Sequence, residues 1–171
     1  LNLLSRSPTW LGSLGARPMY LGLDLRGGVH FMLQVDMEGA LTKRAESLSG
    51  DIRTTLRDKN VRHSGISRDG QTIQIKAPEA QTARAIRNIL TDQFTDLVVN
   101  ESTDGAEVRL TATIKPEAAR RVQDQALKQN ITTLHNRINE LGVSEPVIQQ
   151  QGIDRIVVQL PGVQDTAKAK D

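Results

Sequence analysis

The sequence predicts an α+β protein of ferredoxin-like βαβ units, with antiparallel sheets covered by helices and a second unit truncated at its C-terminus. Three observations lead there. Along 171 residues, apolar runs at period two alternate with apolar runs at helical spacing. Asp-Gly pairs at 69–70 and 104–105 stand between short strand-like runs, where hairpin turns belong. Aromatic residues are only 2% of the chain, so its cores must be built from Leu, Ile, Val and Ala.

The elements follow in order. Residues 1–20 hold Ser5, Ser7, Pro8, Gly12, Gly15 and Pro18 with little periodicity, which reads as a lead-in or linker. Val29, Phe31, Leu33, Val35 and Met37 then alternate with His30, Gln34 and Asp36, predicting a half-buried strand over 29–37. Over 40–57, Leu41, Ala45, Leu48, Ile52 and Leu56 form one helical face. Strands are expected around 63–68 and 71–77, joined through Asp69-Gly70 in a type I′ turn. Pro78 fits the first position of a second helix, where its missing N–H costs nothing. Ala83, Ile86, Leu90 and Phe94 form that helix's inner face.

Strands at 97–100 and 107–114 come next. In the second, Val108, Leu110, Ala112 and Ile114 share one face, and Glu107, Arg109, Thr111 and Thr113 the other. Pro116 opens the longest helix, lined by Val122, Ala126, Leu127, Ile131, Leu134, Ile138 and Leu141. Gly142 is its natural left-handed stop. Strands at 146–151 and 154–160 lead to a Pro161-Gly162 turn, and Asp165 is placed to cap a final helix.

Chemistry leaves few traces. The net charge is +2 from 22 basic and 20 acidic residues, which is no nucleic-acid or membrane footprint. With no cysteine, disulfides, thiolate zinc sites and thiol nucleophiles are excluded. His30, His63 and His135 lie far apart, without a second ligand at metal-binding spacing. No Ser-His-Asp arrangement or nucleophile elbow is present. The expectation is no catalytic residue, no metal and no cofactor. Arg26-Gly27-Gly28 precedes a strand, whereas a phosphate-binding glycine loop follows a strand and opens a helix. A βαββαβ order also suits an RNA-recognition module, but Gln71–Ala77 has no aromatic on which a base could stack. No run approaches 18 consecutive apolar residues, so no membrane span is expected within the chain. Its ends, Leu1 and a charged helical pattern at Asp171, read as cut points in a longer protein.

Two segments are more specific. Leu21-Gly-Leu-Asp-Leu-Arg-Gly-Gly-Val-His-Phe-Met-Leu-Gln-Val-Asp36 resembles the signature that opens the periplasmic region of the SecD family. Residues Asn136 to Gly162, through Gly142, Glu145, Pro146, Gln151, Gly152, Arg155 and Pro161, resemble the block after that family's first long helix. The resemblance implies an accessory role in protein export on the periplasmic side of the bacterial inner membrane. The partners it implies are SecF, the SecYEG translocon and unfolded preprotein, with the proton gradient as driving force. It implies no nucleic acid and no small-molecule substrate. It also implies a division into a lead-in (1–20), a truncated ferredoxin-like base (21–38 plus 115–171) and an inserted, permuted ferredoxin-like subdomain (39–114). A rival topology, one ordinary βαββαβ unit over 29–104, stays open at this stage. Asp24, Arg26, Gly27 and Gly28 would form a mechanical joint between lead-in and base strand, and the residues of the second block would be structural. The alternative function is a small-ligand-binding regulatory domain, since ferredoxin-like pairs often take metabolites.

Overall fold

The computed structural model describes residues 16–23, 29–143 and 145–161. Eight strands and three helices lie among them: β1 (Ala16–Leu23), β2 (Val29–Val35), α1 (Met37–Asp58), β3 (Gly65–Asp69), β4 (Thr72–Ala77), α2 (Ala80–Gln93), β5 (Leu97–Asp104), β6 (Glu107–Ile114), α3 (Pro116–Glu140), β7 (Val147–Gln151) and β8 (Arg155–Leu160). The class is α+β, with two four-stranded antiparallel sheets in the manner of ferredoxin-like units. The chain divides into two compact units. One is continuous, Glu38–Val122; the other is split, Leu1–Met37 with Gln123–Asp171.

In the continuous unit the strand order is β3-β4-β6-β5. β6 pairs with β4 on one side and β5 on the other, antiparallel to both. This is the ferredoxin-like arrangement with its first strand moved to the end of the chain. The single unit over 29–104 is thereby excluded, because β2 pairs with β1 and β8 instead. α1 buries Leu41, Ala45, Leu48, Ile52 and Leu56, the apolar face that the four-and-three spacing predicts, and Ser49 beside them. From that face Leu48, Ile52 and Leu56 meet Ala83, Ile86 and Leu90 of α2 over Ile73, Ile75, Leu110 and Ala112 of the sheet. Each buried Leu or Ile among them stabilises the unit by roughly 1.5–3 kcal/mol relative to exposure.

Three local expectations are corrected here. Pro78 does not open α2: Glu79 is its N-cap, in extended backbone, and its carbonyl accepts the N–H of Ala83 at 3.1 Å. Ala77 is still held in the β4–β6 ladder opposite Val108, so Pro78 and Glu79 are used in turning the chain out of the sheet. The β3–β4 loop is Gly70-Gln71, closed by Asp69 and Thr72, and only Gly70 has positive φ, at 59°. That is the type II′ pattern, not I′. β5 runs through Asp104, well past Asn100, because its ladder with β6 continues to the turn. Its last residues are exposed on both faces and so show no alternation.

In the split unit the order is β1-β2-β8-β7. α3 lays Leu127, Leu134 and Ile138 on Leu33, Val35, Ile156 and Val158. α3 ends in a Schellman motif: the N–H of Gly142 reaches Asn139 O at 3.0 Å and that of Val143 reaches Ile138 O at 3.4 Å. Gly142, at φ 77°, takes the left-handed position that glycine occupies without penalty. Residues 16–20 are not simply lead-in, since they belong to β1, which pairs with β2 from Ala16↔Val35 to Leu23↔Val29. Pro18 gave the opposite signal, but β1 is an edge strand, where a missing N–H can face outward. β1 fills the place beside β2 that a ferredoxin-like unit gives to its last strand.

Candidate functional site

The candidate site is the sheet of the split unit, where the two specific sequence blocks meet. β2, from the first block, and β8, from the second, are adjacent antiparallel strands, in register from Val29↔Leu160 to Gln34↔Arg155. Nothing local announces that pairing. It brings together stretches more than a hundred residues apart and leaves the rest of the chain between them.

Asp154 joins the strands a second time. Its Oδ2 accepts a hydrogen bond from Gln34 Nε2 at 2.9 Å, across a sequence separation of 120. Its carbonyl accepts the N–H of Val35 at 2.7 Å. Its Oδ1 lies 3.9 Å from Arg155 Nε, a long and partly exposed ion pair. Sequence reasoning missed Asp154; the only sign of it was its place in the short turn Gly152-Ile153-Asp154.

The predicted motif residues fall in different places. Asp24, Arg26, Gly27 and Gly28 lie outside the described residues. Their described neighbours, Leu23 and Val29, are register partners at the end of the β1–β2 ladder where the chain passes from one strand to the other. The ladder shifts register between Tyr20 and Leu23, just before the motif. Of the second block, Gly142 stops α3, as above. Glu145, at φ 56°, is a non-glycine residue in the left-handed region directly before Pro146, where backbone strain of about 1–3 kcal/mol is stored. Gln151 and Arg155 close the β7–β8 hairpin around Gly152, whose carbonyl accepts Gln150 Nε2 at 2.9 Å. Pro161 follows Leu160, the register partner of Val29. Gly162 lies outside the described residues.

Among the described residues no group of three or more His, Asp or Glu could hold a metal ion. No described helix is long and apolar enough to cross a membrane. What the arrangement offers is an antiparallel sheet made of two hairpins, β1–β2 and β7–β8, with β1 and β7 as its edge strands among the described residues.

Comparison with known proteins adds to this geometry. A family model described as protein translocase subunit SecDF, P1 domain, N-terminal, matches residues 127–171. A second, the SecD/SecF GG motif, matches residues 12–38. The chain is similar to the protein translocase subunit SecD of Pseudomonas aeruginosa, 43% identical over 171 residues, which covers 99% of this chain and 27% of the relative. SecD of Escherichia coli K12 is 42% identical over 172 residues, covering 100% and 28%. SecD of Syntrophobacter fumaroxidans is 34% identical over 165 residues, covering 95% and 31%. The chain thus spans 27–31% of the length of these relatives. No solved structure matches it.

Proposed function

Because this chain belongs to the SecD family, we propose that it serves protein translocation as part of a SecD subunit, on the periplasmic side of the inner membrane. The observation that supports this best is the β2–β8 pairing. The stretch matched by the GG-motif model and the stretch matched by the P1-domain model contribute neighbouring strands to one sheet, so both matches describe one structural object. Its partners in this reading are SecF, the SecYEG channel and unfolded preprotein, and the proton gradient drives the cycle. The role is mechanical and adhesive, with no chemistry performed on a substrate. The continuous unit acts as an insertion into the base that the split unit forms.

Within that role, Asp24-Leu-Arg-Gly-Gly28 acts as a joint between β1 and β2. β1 and β2 are held rigidly by their ladder, while β2 is tied onward to β8 through Asp154. Force applied to the joint therefore reaches the centre of the sheet through backbone hydrogen bonds. Gly27 and Gly28 allow backbone angles that would cost a side-chain-bearing residue on the order of 1–2 kcal/mol.

The test uses a full-length relative with Gly27→Val or Gly28→Val. Proton-gradient-dependent export is measured beside the abundance and thermal stability of the folded protein. Export is expected to fall while folded protein persists. Export that drops only in proportion to folded protein would leave the glycines structural and remove the joint. A thermal-shift screen of metabolites addresses the regulatory alternative, and a ligand that stabilises the chain would favour that reading.

A further inference from the structure

The two sheets expose four edge strands among the described residues, and these are not alike. β1 contains Arg17 and Pro18. β3 contains Arg68 and Asp69. β5 contains Glu101 and Asp104, with Glu101 paired to Arg87 of α2 at 3.3 Å. Charges and proline on an edge are the usual protection against unwanted strand pairing. β7, Val147-Ile-Gln-Gln-Gln151, has no charge, no proline and no glycine. One of its sides pairs with β8, and alternate residues turn their N–H and C=O groups outward on the other. All its residues except Ile148 are exposed.

A second observation falls on the same place. Four large hydrophobic residues are exposed among the described ones, and three of them flank this strand: Leu141 at 69%, Val147 at 43% and Ile153 at 80%. Leu141 lies just past the end of α3, Val147 begins β7, and Ile153 sits in the turn after it. Val147 and Ile153 therefore give the strand apolar ends around an uncharged, amide-bearing middle, and Leu141 adds an exposed apolar residue earlier in the chain. Charged groups are confined to its margins, at Glu145, Asp154 and Arg155.

We propose that the outer edge of β7 receives an extended, uncharged stretch of unfolded polypeptide as a fifth strand of the split unit's sheet. This rests on the export reading for the source of that polypeptide. The chemistry itself is main chain to main chain. Five residues offer about 16 Å of edge at roughly 3.3 Å per residue. Outward backbone groups fix the incoming strand while reading almost nothing of its sequence. The side chains add little selectivity: Gln149 and Gln151 present both donors and acceptors, and Leu141, Val147 and Ile153 favour apolar neighbours. A charged segment finds no counter-charge along the strand. Such a surface suits a partner that is unfolded, moving and variable in sequence. A second copy of this chain could also pair there, and the test separates that case.

The probe is a fluorescent uncharged peptide rich in Val, Thr and Gln, titrated into the 171-residue chain. A matched peptide carries N-methyl groups at alternate amides, which cannot join a ladder. The expected result is saturable binding of the first peptide only, with slowed amide exchange confined to residues 147–151 and their neighbours. The double variant Gln149→Lys/Gln151→Lys changes two exposed side chains and should weaken binding by about tenfold or more. Its circular dichroism should match that of the parent. No binding, equal binding of the N-methylated peptide, or protection mapped to β1, β3 or β5 overturns the proposal. So does a concentration-dependent dimer that the peptide fails to dissociate, which would assign the edge to a second copy. These readouts are independent of the joint. A peptide that fails to bind, beside a Gly27→Val protein that still loses export, removes the edge and leaves the export reading standing. A peptide that binds as described, beside export that follows only folded protein, keeps the edge and removes the joint.

Discussion

Two glycines in the continuous unit have open space where a Cβ would go, yet their replacement by alanine should act in opposite directions. Gly50 lies inside α1 at an exposed position, and an added Cβ meets nothing within 4 Å. Gly50→Ala should therefore stabilise by about 0.5–1 kcal/mol, by raising helix propensity and reducing the freedom of the unfolded chain. Gly70 is equally uncrowded, but its φ is 59°, at the first central position of the β3–β4 turn. Alanine there meets an intrinsic backbone penalty of roughly 1–2 kcal/mol. Reduced unfolded-state freedom offsets about 0.4–1 kcal/mol of it, leaving a net loss near 1 kcal/mol. The two variants should differ by about 2 kcal/mol, and for a unit of this size each kcal/mol moves Tm by roughly 4–8 °C. Thermal and urea unfolding followed by circular dichroism, with each variant compared to the parent, gives the numbers. A destabilised Gly50→Ala, or a Gly70→Ala as stable as the parent, would refute the reasoning, since sterics are equal at the two sites and only backbone conformation differs.

Three further outcomes are expected. Ile75→Ala opens a hole under both helices of the continuous unit, where Ile75 has no exposure, and should cost about 2–5 kcal/mol in urea unfolding; Arg121→Ala breaks only the exposed pair with Asp96, at 66% and 38% side-chain exposure, and should cost under about 1 kcal/mol. Native-state hydrogen exchange should be slower in β4 and β6, which lie inside a sheet covered by two helices, than in β7, an edge strand; equal or reversed protection would refute this ranking of the two units.

Periodicity made the helices legible. Leu41, Ala45, Leu48, Ile52 and Leu56 could face one core only as a helix, and they do. β6 was legible for the same reason, since its alternation separates a buried face from a polar one. β1 was not, because an edge strand with Pro18 obtains its structure from its partner's hydrogen bonds and not from its own pattern. Strand order was equally hidden. Both β2 and β6 look able to stand beside β4, and the choice depends on contacts between distant segments that no local signal encodes. Within the candidate site, the two motif blocks were visible as unusual sequence, but their pairing was not. Asp154 illustrates why: an aspartate in a turn is ordinary until Gln34, 120 residues earlier, arrives to donate to it.

The displaced first strand of the continuous unit has a topological consequence. β6 ends at Ile114, beside the turn that joins β3 to β4. α1 has to travel back along the sheet to deliver the chain to Gly65, at the other end of β3, so it sets out from above that same turn. The strand order β3-β4-β6-β5 thus leaves the arriving and departing chain on one side of the unit. A domain with neighbouring termini can be spliced into a host at a single peptide bond. The host's own path hardly lengthens, and the entropic cost of the detour grows only logarithmically with its length. A host sheet can in this way acquire a guest of full domain size while β2 and β8 still find each other.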